Sequence, residues 1–246
     1  MIKRAYLLCI AILALVILSI FIFLTCNVAE EKGYLLSELS SAEKIMWIGP
    51  HPDDEVYVAG LLALASLEMG KNCVIVSFTC IESRKAYNLN SSEILHARYV
   101  YLENYEGKTW REKLIKLLSI EHPDIVITFE PTNGFRSSEG HAKVAQLVTD
   151  VLREKFNEIK LYYVINRDPV LAKLLGGNMD PLPYTDVLDL DTYSEKLGCT
   201  YWNIKLKVVQ VYSDVVSACR YIAENKNNIQ EKIMHKEFYR KVSLTS

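Results

Sequence analysis

Charge imbalance is missing from this sequence: 28 Lys plus Arg stand against 30 Asp plus Glu in 246 residues, a net charge of −2. No basic stripe stands out, which argues against nucleic-acid binding by phosphate neutralisation. An internal repeat is missing too, which excludes solenoids and propellers. Half of the residues are hydrophobic, too many for a disordered chain. The six cysteines form no CxxC pair and no zinc-ribbon spacing. Cys73, Cys80, Cys199 and Cys219 therefore read as scattered core residues. Residues 5–26 (AYLLCIAILALVILSIFIFLTC) lack charge, glycine and proline altogether. Such a run makes a helix of ~33 Å, enough for a ~30 Å hydrocarbon core, and a core helix is seldom apolar on every face. The expectation is one N-terminal transmembrane helix, with an anchor over residues 1–28 and a connector over 29–44. Lys3 and Arg4 before the run and Glu30 and Glu31 after it put the body of the protein on the non-cytoplasmic side.

Beyond the connector, strand-like and helix-like segments alternate within a length that suits one α/β domain, residues 45–246. Strands are expected at 44–49, 73–80, 124–129 and 161–166 from their β-branched, apolar content. Helices are expected at 53–70, 91–102, 110–120 and 140–156, with a charged C-terminal helix around His235. Alternation of this kind predicts a Rossmann-like, largely parallel sheet flanked by helices. Ligands of such sheets gather beyond the carboxyl ends of the strands. The turn-rich stretch Asp180-Pro181-Leu182-Pro183 reads as a loop.

That rule sorts the five histidines. Gly49-Pro50-His51-Pro52-Asp53-Asp54-Glu55 lies where the first strand ends and a helix begins. Proline followed by three acids also suits a plain helix N-terminus. Yet histidine is a poor cap, and His51 and Asp54, three apart around a turn, can converge on one ion while Asp53 stays free as a base. A third ligand should come from another carboxyl end, where His141 follows the 124–129 strand and opens a helix. His122 precedes that strand and belongs to the opposite edge, ~20 Å away. His96 and His235 fall on helices with structural roles. Two imidazoles and one carboxylate suit a catalytic zinc ion, or iron(II).

These residues resemble the LmbE-like, or PIG-L, deacetylase family. The hallmark HPDDE-type motif stands here as His51-Pro52-Asp53-Asp54-Glu55, and Pro123-Asp124-Ile125-Val126 leads to Gly140-His141-Ala142-Lys143-Val144-Ala145. The segment Leu102-Glu103-Asn104-Tyr105-Glu106-Gly107 is similar as well, and the likeness covers about residues 45–155. The resemblance implies a zinc-dependent deacetylase of N-acetylated sugars, including glycolipids, with His51, Asp54 and His141 as metal ligands and Asp53 as general base. Two departures follow from the same comparison. Many members place a histidine three residues before the last ligand, where this chain has Ser138. Near the C-terminus, Gln210-Val211-Tyr212-Ser213 stands where members often carry a histidine. These departures keep two alternatives in play: a metal-containing sugar-binding or scaffold domain with little turnover, and a hydrolase of another N-acyl amide.

Overall fold

The computed structural model describes residues 33–132, 139–165, 183–225 and 235–245. β1 (Lys44–Gly49) is apolar with no alternation, and five of its six residues are buried, as befits a central strand covered on both faces. It pairs in parallel with β2 (Asn72–Ser77) on one side and β4 (Ile125–Phe129) on the other. β2 then pairs with β3 (Ala97–Tyr101), and β4 with β5 (Lys160–Ile165), again in parallel. Two antiparallel strands complete the sheet: β9 (Lys236–Val242) on β5, and β6 (Asp186–Asp189) on β9. The order is β3-β2-β1-β4-β5-β9-β6. The order in which strands are laid down changes side between β1 and β4, which run parallel, and this opens a crevice at their carboxyl ends. A small hairpin of β7 (Tyr193–Ser194) and β8 (Cys199–Thr200) stands apart from the sheet.

Side chains of β1 alternate between two cores. Ile45 and Trp47 pack with Leu61, Leu62 and Val208, while Met46 and Ile48 pack with Leu114, Leu118 and Val148. Each such buried side chain contributes roughly 1.5–3 kcal/mol. The covering helices are α1 (Tyr34–Ser41), α2 (residues 54–68), α3 (Lys85–Ile94), α4 (Trp110–Glu121), α5 (Glu139–Lys155), α6 (Tyr201–Tyr212) and α7 (Ser217–Asn225). Thr109 and Glu112 form a reciprocal capping box at the start of α4.

α2 changes pitch along its length: a 3-10 turn (Asp54–Val58), an α-helical stretch (Ala59–Ala63) and a π turn (Leu64–Glu68). The change leaves amide donors free where the α-helical stretch begins. Glu237, from β9, accepts from Gly60 N–H at 3.0 Å and Leu61 N–H at 2.9 Å. Its carboxylate also accepts from Lys205 Nζ at 2.8 Å and the Tyr239 hydroxyl at 2.7 Å. A buried carboxylate is tolerable here because four donors satisfy it.

Two expectations are revised. Residues 97–101 form β3, so the helix expected at 91–102 is misplaced. The true helix, α3, ends at Ile94, and His96 turns the chain at φ 45°. His235 itself is in a 3-10 conformation, and the charged segment directly after it is the strand β9 rather than a continuing helix. Its ring stacks on Trp202 at 4.0 Å and its Nδ1 lies 2.7 Å from Asp191 Oδ1. Among the described residues no helix is long and apolar enough to cross a membrane. The run at 5–26 lies outside those residues, as do Ser138 and 180–182 of the turn-rich stretch. Cys73, Cys80, Cys199 and Cys219 are unpaired.

Candidate metal centre

The loop after β1 carries the HPDDE motif and is tied down on one side by the end of β2. Phe78 N–H donates to Gly49 O at 3.1 Å, and Thr79 donates to Pro50 O through both its N–H (3.3 Å) and its hydroxyl (3.1 Å). On the other side the Thr128 hydroxyl donates to Ile48 O at 2.8 Å, fixing β4 beside it. His51 N–H donates to Asp54 Oδ2 at 2.8 Å, which curls the turn and swings the Asp54 carboxylate back over the end of β1. Only a residue without a Cβ permits this. A Cβ on Gly49 would lie 2.9 Å from Asp54 Cβ and 3.1 Å from its Oδ2.

Across the crevice, α5 delivers His141, whose Nε2 is 3.2 Å from Asp54 Oδ1. Its ring stacks on Phe129 at 4.3 Å, and Phe129 meets Trp47 edge-on at 5.1 Å, so the imidazole rests on the core. His51 Nδ1 lies 3.6 Å from Asp54 Oδ2. Ligand atoms of His51, Asp54 and His141 all fall within 4.8 Å of one another. Donors of a tetrahedral ion bound at ~2.0–2.1 Å stand ~3.3 Å apart, so this set fits a divalent cation in both chemistry and spacing. Burial, together with the charges of His141 and Arg84, lowers the His51 pKa against the opposing pull of Asp54. That shift favours the neutral imidazole, the form that ligates metal.

Asp53 adopts φ 101°, a left-handed conformation that strains a non-glycine residue. Its carboxylate pairs with Arg84, whose guanidinium also donates to Pro52 O at 3.0 Å. Burial and the neighbouring Asp54 charge push the Asp53 carboxyl up to about 8 despite Arg84. A divalent cation in the His51–Asp54–His141 set would pull it back down. Arg84, at the end of a 3-10 turn (Glu82–Arg84), carries no motif signature, and the sequence reading missed it.

Glu55, the last residue of the motif, is fully buried. Its Oε1 accepts from the Ser91 hydroxyl at 2.7 Å and the Tyr212 hydroxyl at 2.5 Å, and its Oε2 from Asp53 N–H at 3.2 Å. The Tyr212 hydroxyl also lies 2.9 Å from Asn88 Oδ1. The C-terminal segment 210–213 thus arrives behind the motif and contributes a tyrosine. Burial raises the Glu55 pKa, and the hydroxyl hydrogen bonds oppose that shift.

His122 caps α4 at φ 46°, at the opposite edge as expected, and His96 and His235 lie outside the group. Ser138 falls outside the described residues.

No protein-family model matches the chain, and the search of curated proteins found no match. Solved structures do match. N,N'-diacetylchitobiose deacetylase from Pyrococcus horikoshii is 17% identical at TM-score 0.57, over 85% of this chain and 87% of that one. The zinc-inhibited form of teicoplanin deacetylase Orf2 is 11% identical at TM-score 0.51, over 81% and 98%. GalB, the 4-carboxy-2-hydroxymuconate hydratase from Pseudomonas putida KT2440, is 14% identical at TM-score 0.55, over 81% and 96%. At such identities the likeness is one of fold, shared by deacetylases and a hydratase, and this chain places a His-Asp-His group at the switch point of that fold.

Proposed function

We propose that the protein is a metal-dependent amide hydrolase that removes the N-acetyl group from an N-acetylglucosamine-type sugar or glycolipid. The observation that carries this reading is the meeting of His51, Asp54 and His141 within 4.8 Å, with Asp53 alongside. The deacetylases of the same fold support it.

His51, Asp54 and His141 would hold zinc or another first-row ion such as iron(II). When bound, the ion supplies Lewis acidity toward the amide carbonyl and a more acidic water. Asp53 accepts the proton of the attacking water and returns it to the leaving amine, a role worth ~10²–10⁴ in rate. Arg84 and the Glu55 carboxylate hold Asp53 from its two ends, side chain and backbone. Ser138 would donate to the developing oxyanion in place of an imidazole, a weaker donor at a position where losing one bond costs ~2.7–4 kcal/mol. Residues 5–26 would tether the catalytic domain, residues 45–246, to a membrane with its body on the non-cytoplasmic side. An anchor of that kind suits a substrate confined to a bilayer surface.

A second reading draws on Ser138 and on GalB, a hydratase of the same fold. It is a metal-bearing sugar-binding domain with little turnover, or a hydrolase of a different N-acyl amide. Elemental analysis of the purified full chain, paired with acetate release from a panel of N-acetylated sugars, decides between them. Near-stoichiometric metal with acetate release supports the deacetylase. Metal without acetate from any sugar supports the second reading, and a chain that takes up no divalent ion sinks both.

A further inference from the structure

Beside the ligand set a groove of about 260 Å³ opens, walled chiefly by Pro50, Phe78, Trp110, Val144 and Leu147, and the His51 ring lines it too. That volume is below the ~300–1,000 Å³ of a whole small-molecule site, so the groove is a subsite. Its walls come from three elements that are each fixed independently. Phe78 directly follows β2 and is held to Gly49 O by its N–H at 3.1 Å. Trp110 is the first residue of α4, set by the capping box. Val144 and Leu147 lie three apart on α5 and share a face.

Trp110 is 42% exposed, and its ring meets Phe78 at 5.6 Å with a tilt of 37°. A tryptophan left half in water at a helix start contributes little to folding, and apolar surface gathered in a concavity marks a binding site. Thr79 and Lys143 also line the groove, but the Thr79 hydroxyl is already committed to Pro50 O and the lining is chiefly apolar, so the walls offer few partners to sugar hydroxyls. Buried hydroxyls without partners are penalised, which disfavours a second sugar ring.

We propose that this groove seats an alkyl or aryl group attached close to the scissile amide, so that the preferred substrate is an amphiphile rather than a simple amino sugar. The inference rests on the amide-hydrolase reading for where the bond lies. The apolar group could sit on the acyl side of the amide or on the aglycone side, and the test separates the two.

Full-length protein in lipid nanodiscs is assayed with methyl N-acetylglucosaminide as reference. Phenyl N-acetylglucosaminide supplies the aglycone arm, methyl N-hexanoylglucosaminide the acyl arm, and N,N'-diacetylchitobiose a second sugar. At about fourfold per buried methylene, one apolar arm should lower KM by ~10-fold or more. In Trp110→Ala and Leu147→Ser that gain should shrink to about threefold or less, with kcat/KM for the reference within about twofold. Equal KM values, a gain that survives both variants, or a gain for the disaccharide instead would each overturn the proposal. If no compound is turned over, the hydrolase reading fails separately, and calorimetric binding of phenyl against methyl N-acetylglucosaminide decides for the groove. Tighter binding of the phenyl glycoside that Trp110→Ala removes upholds it, and equal affinity overturns it.

Discussion

The tripeptide His-Pro-Asp occurs twice, once at each end of the sheet, and the two copies do different work. His51-Pro52-Asp53 follows β1 at a carboxyl edge. There the chain enters a helix, Asp53 is forced to φ 101°, and its neighbour Asp54 faces two imidazoles. His122-Pro123-Asp124 precedes β4 at the amino edge. There His122 closes α4 with its N–H on Leu118 O at 2.9 Å. Asp124 Oδ2 accepts from the N–H groups of Glu43 and Lys44, both at 2.8 Å, stitching β1 to β4. The same three residues make a reactive corner in one place and a structural seam in the other. Position in the topology decides, because carboxyl edges of parallel strands open onto helix N-termini and a shared crevice.

The sharpest way to test that contrast is to remove one imidazole from each end. His141→Ala should abolish both metal retention and acetate release, whereas His122→Ala should leave both near wild type, as read by elemental analysis and the release assay. The aspartates give the next largest separation. Asp53→Asn should lower kcat by ~10²–10⁴ with metal still bound. Asp124→Asn should instead lose ~1–3 kcal/mol of stability in a denaturant titration, since two backbone donors lose a charged acceptor, with kcat preserved.

Glycines extend the comparison. Gly49→Ala forces a Cβ to within 2.9 Å of Asp54 Cβ and should weaken metal affinity ~10–100-fold in a chelator competition. Gly70, at the amino edge before β2, has φ 68° and open space around a hypothetical Cβ. Gly70→Ala should cost ~1 kcal/mol from backbone strain alone, with metal affinity unchanged.

The smallest effect concerns pH, at a group remote from the chemistry. Burial raises the Glu38 pKa, but hydrogen bonds from Lys241 and Tyr162 and the Lys241 charge outweigh it, so the folded value is lowered. A depressed carboxyl stabilises the fold above its unfolded pKa and loses that contribution as pH falls through the folded one. Wild type should therefore lose stability on acidification below about 4.5, and Glu38→Gln should flatten that loss slightly in thermal melts while leaving the pH profile of turnover unchanged.

Much of this arrangement was legible in the sequence, and the exceptions have physical causes. β1, β2 and β4 announce themselves because central parallel strands are continuous apolar runs. The ligand set follows from asking which histidines stand at carboxyl edges. β3 was misread because Ser91-Ser92-Glu93 looks like a helix start. Ser91 instead faces inward from the end of α3 and donates to Glu55, and His96 reverses the chain without glycine or proline. β9 was misread because its charges mask a strand alternation: Glu237 and Tyr239 are the buried pair, and a buried carboxylate runs against composition rules. Arg84 and Tyr212 were invisible for a different reason. Each reaches the motif from a distant stretch of chain, 31 residues from Asp53 and 157 from Glu55, and no local spacing records such a meeting.

The reach of Glu237 has a consequence for how the molecule comes into being. The helix that begins at Asp54 depends for its first α-helical amides on a carboxylate 177 and 176 residues downstream. The corner bearing His51 and Asp54 is therefore completed only once Glu237 has been made, and a product cut short before that position would carry every ligand yet lack the clasp that sets their helix.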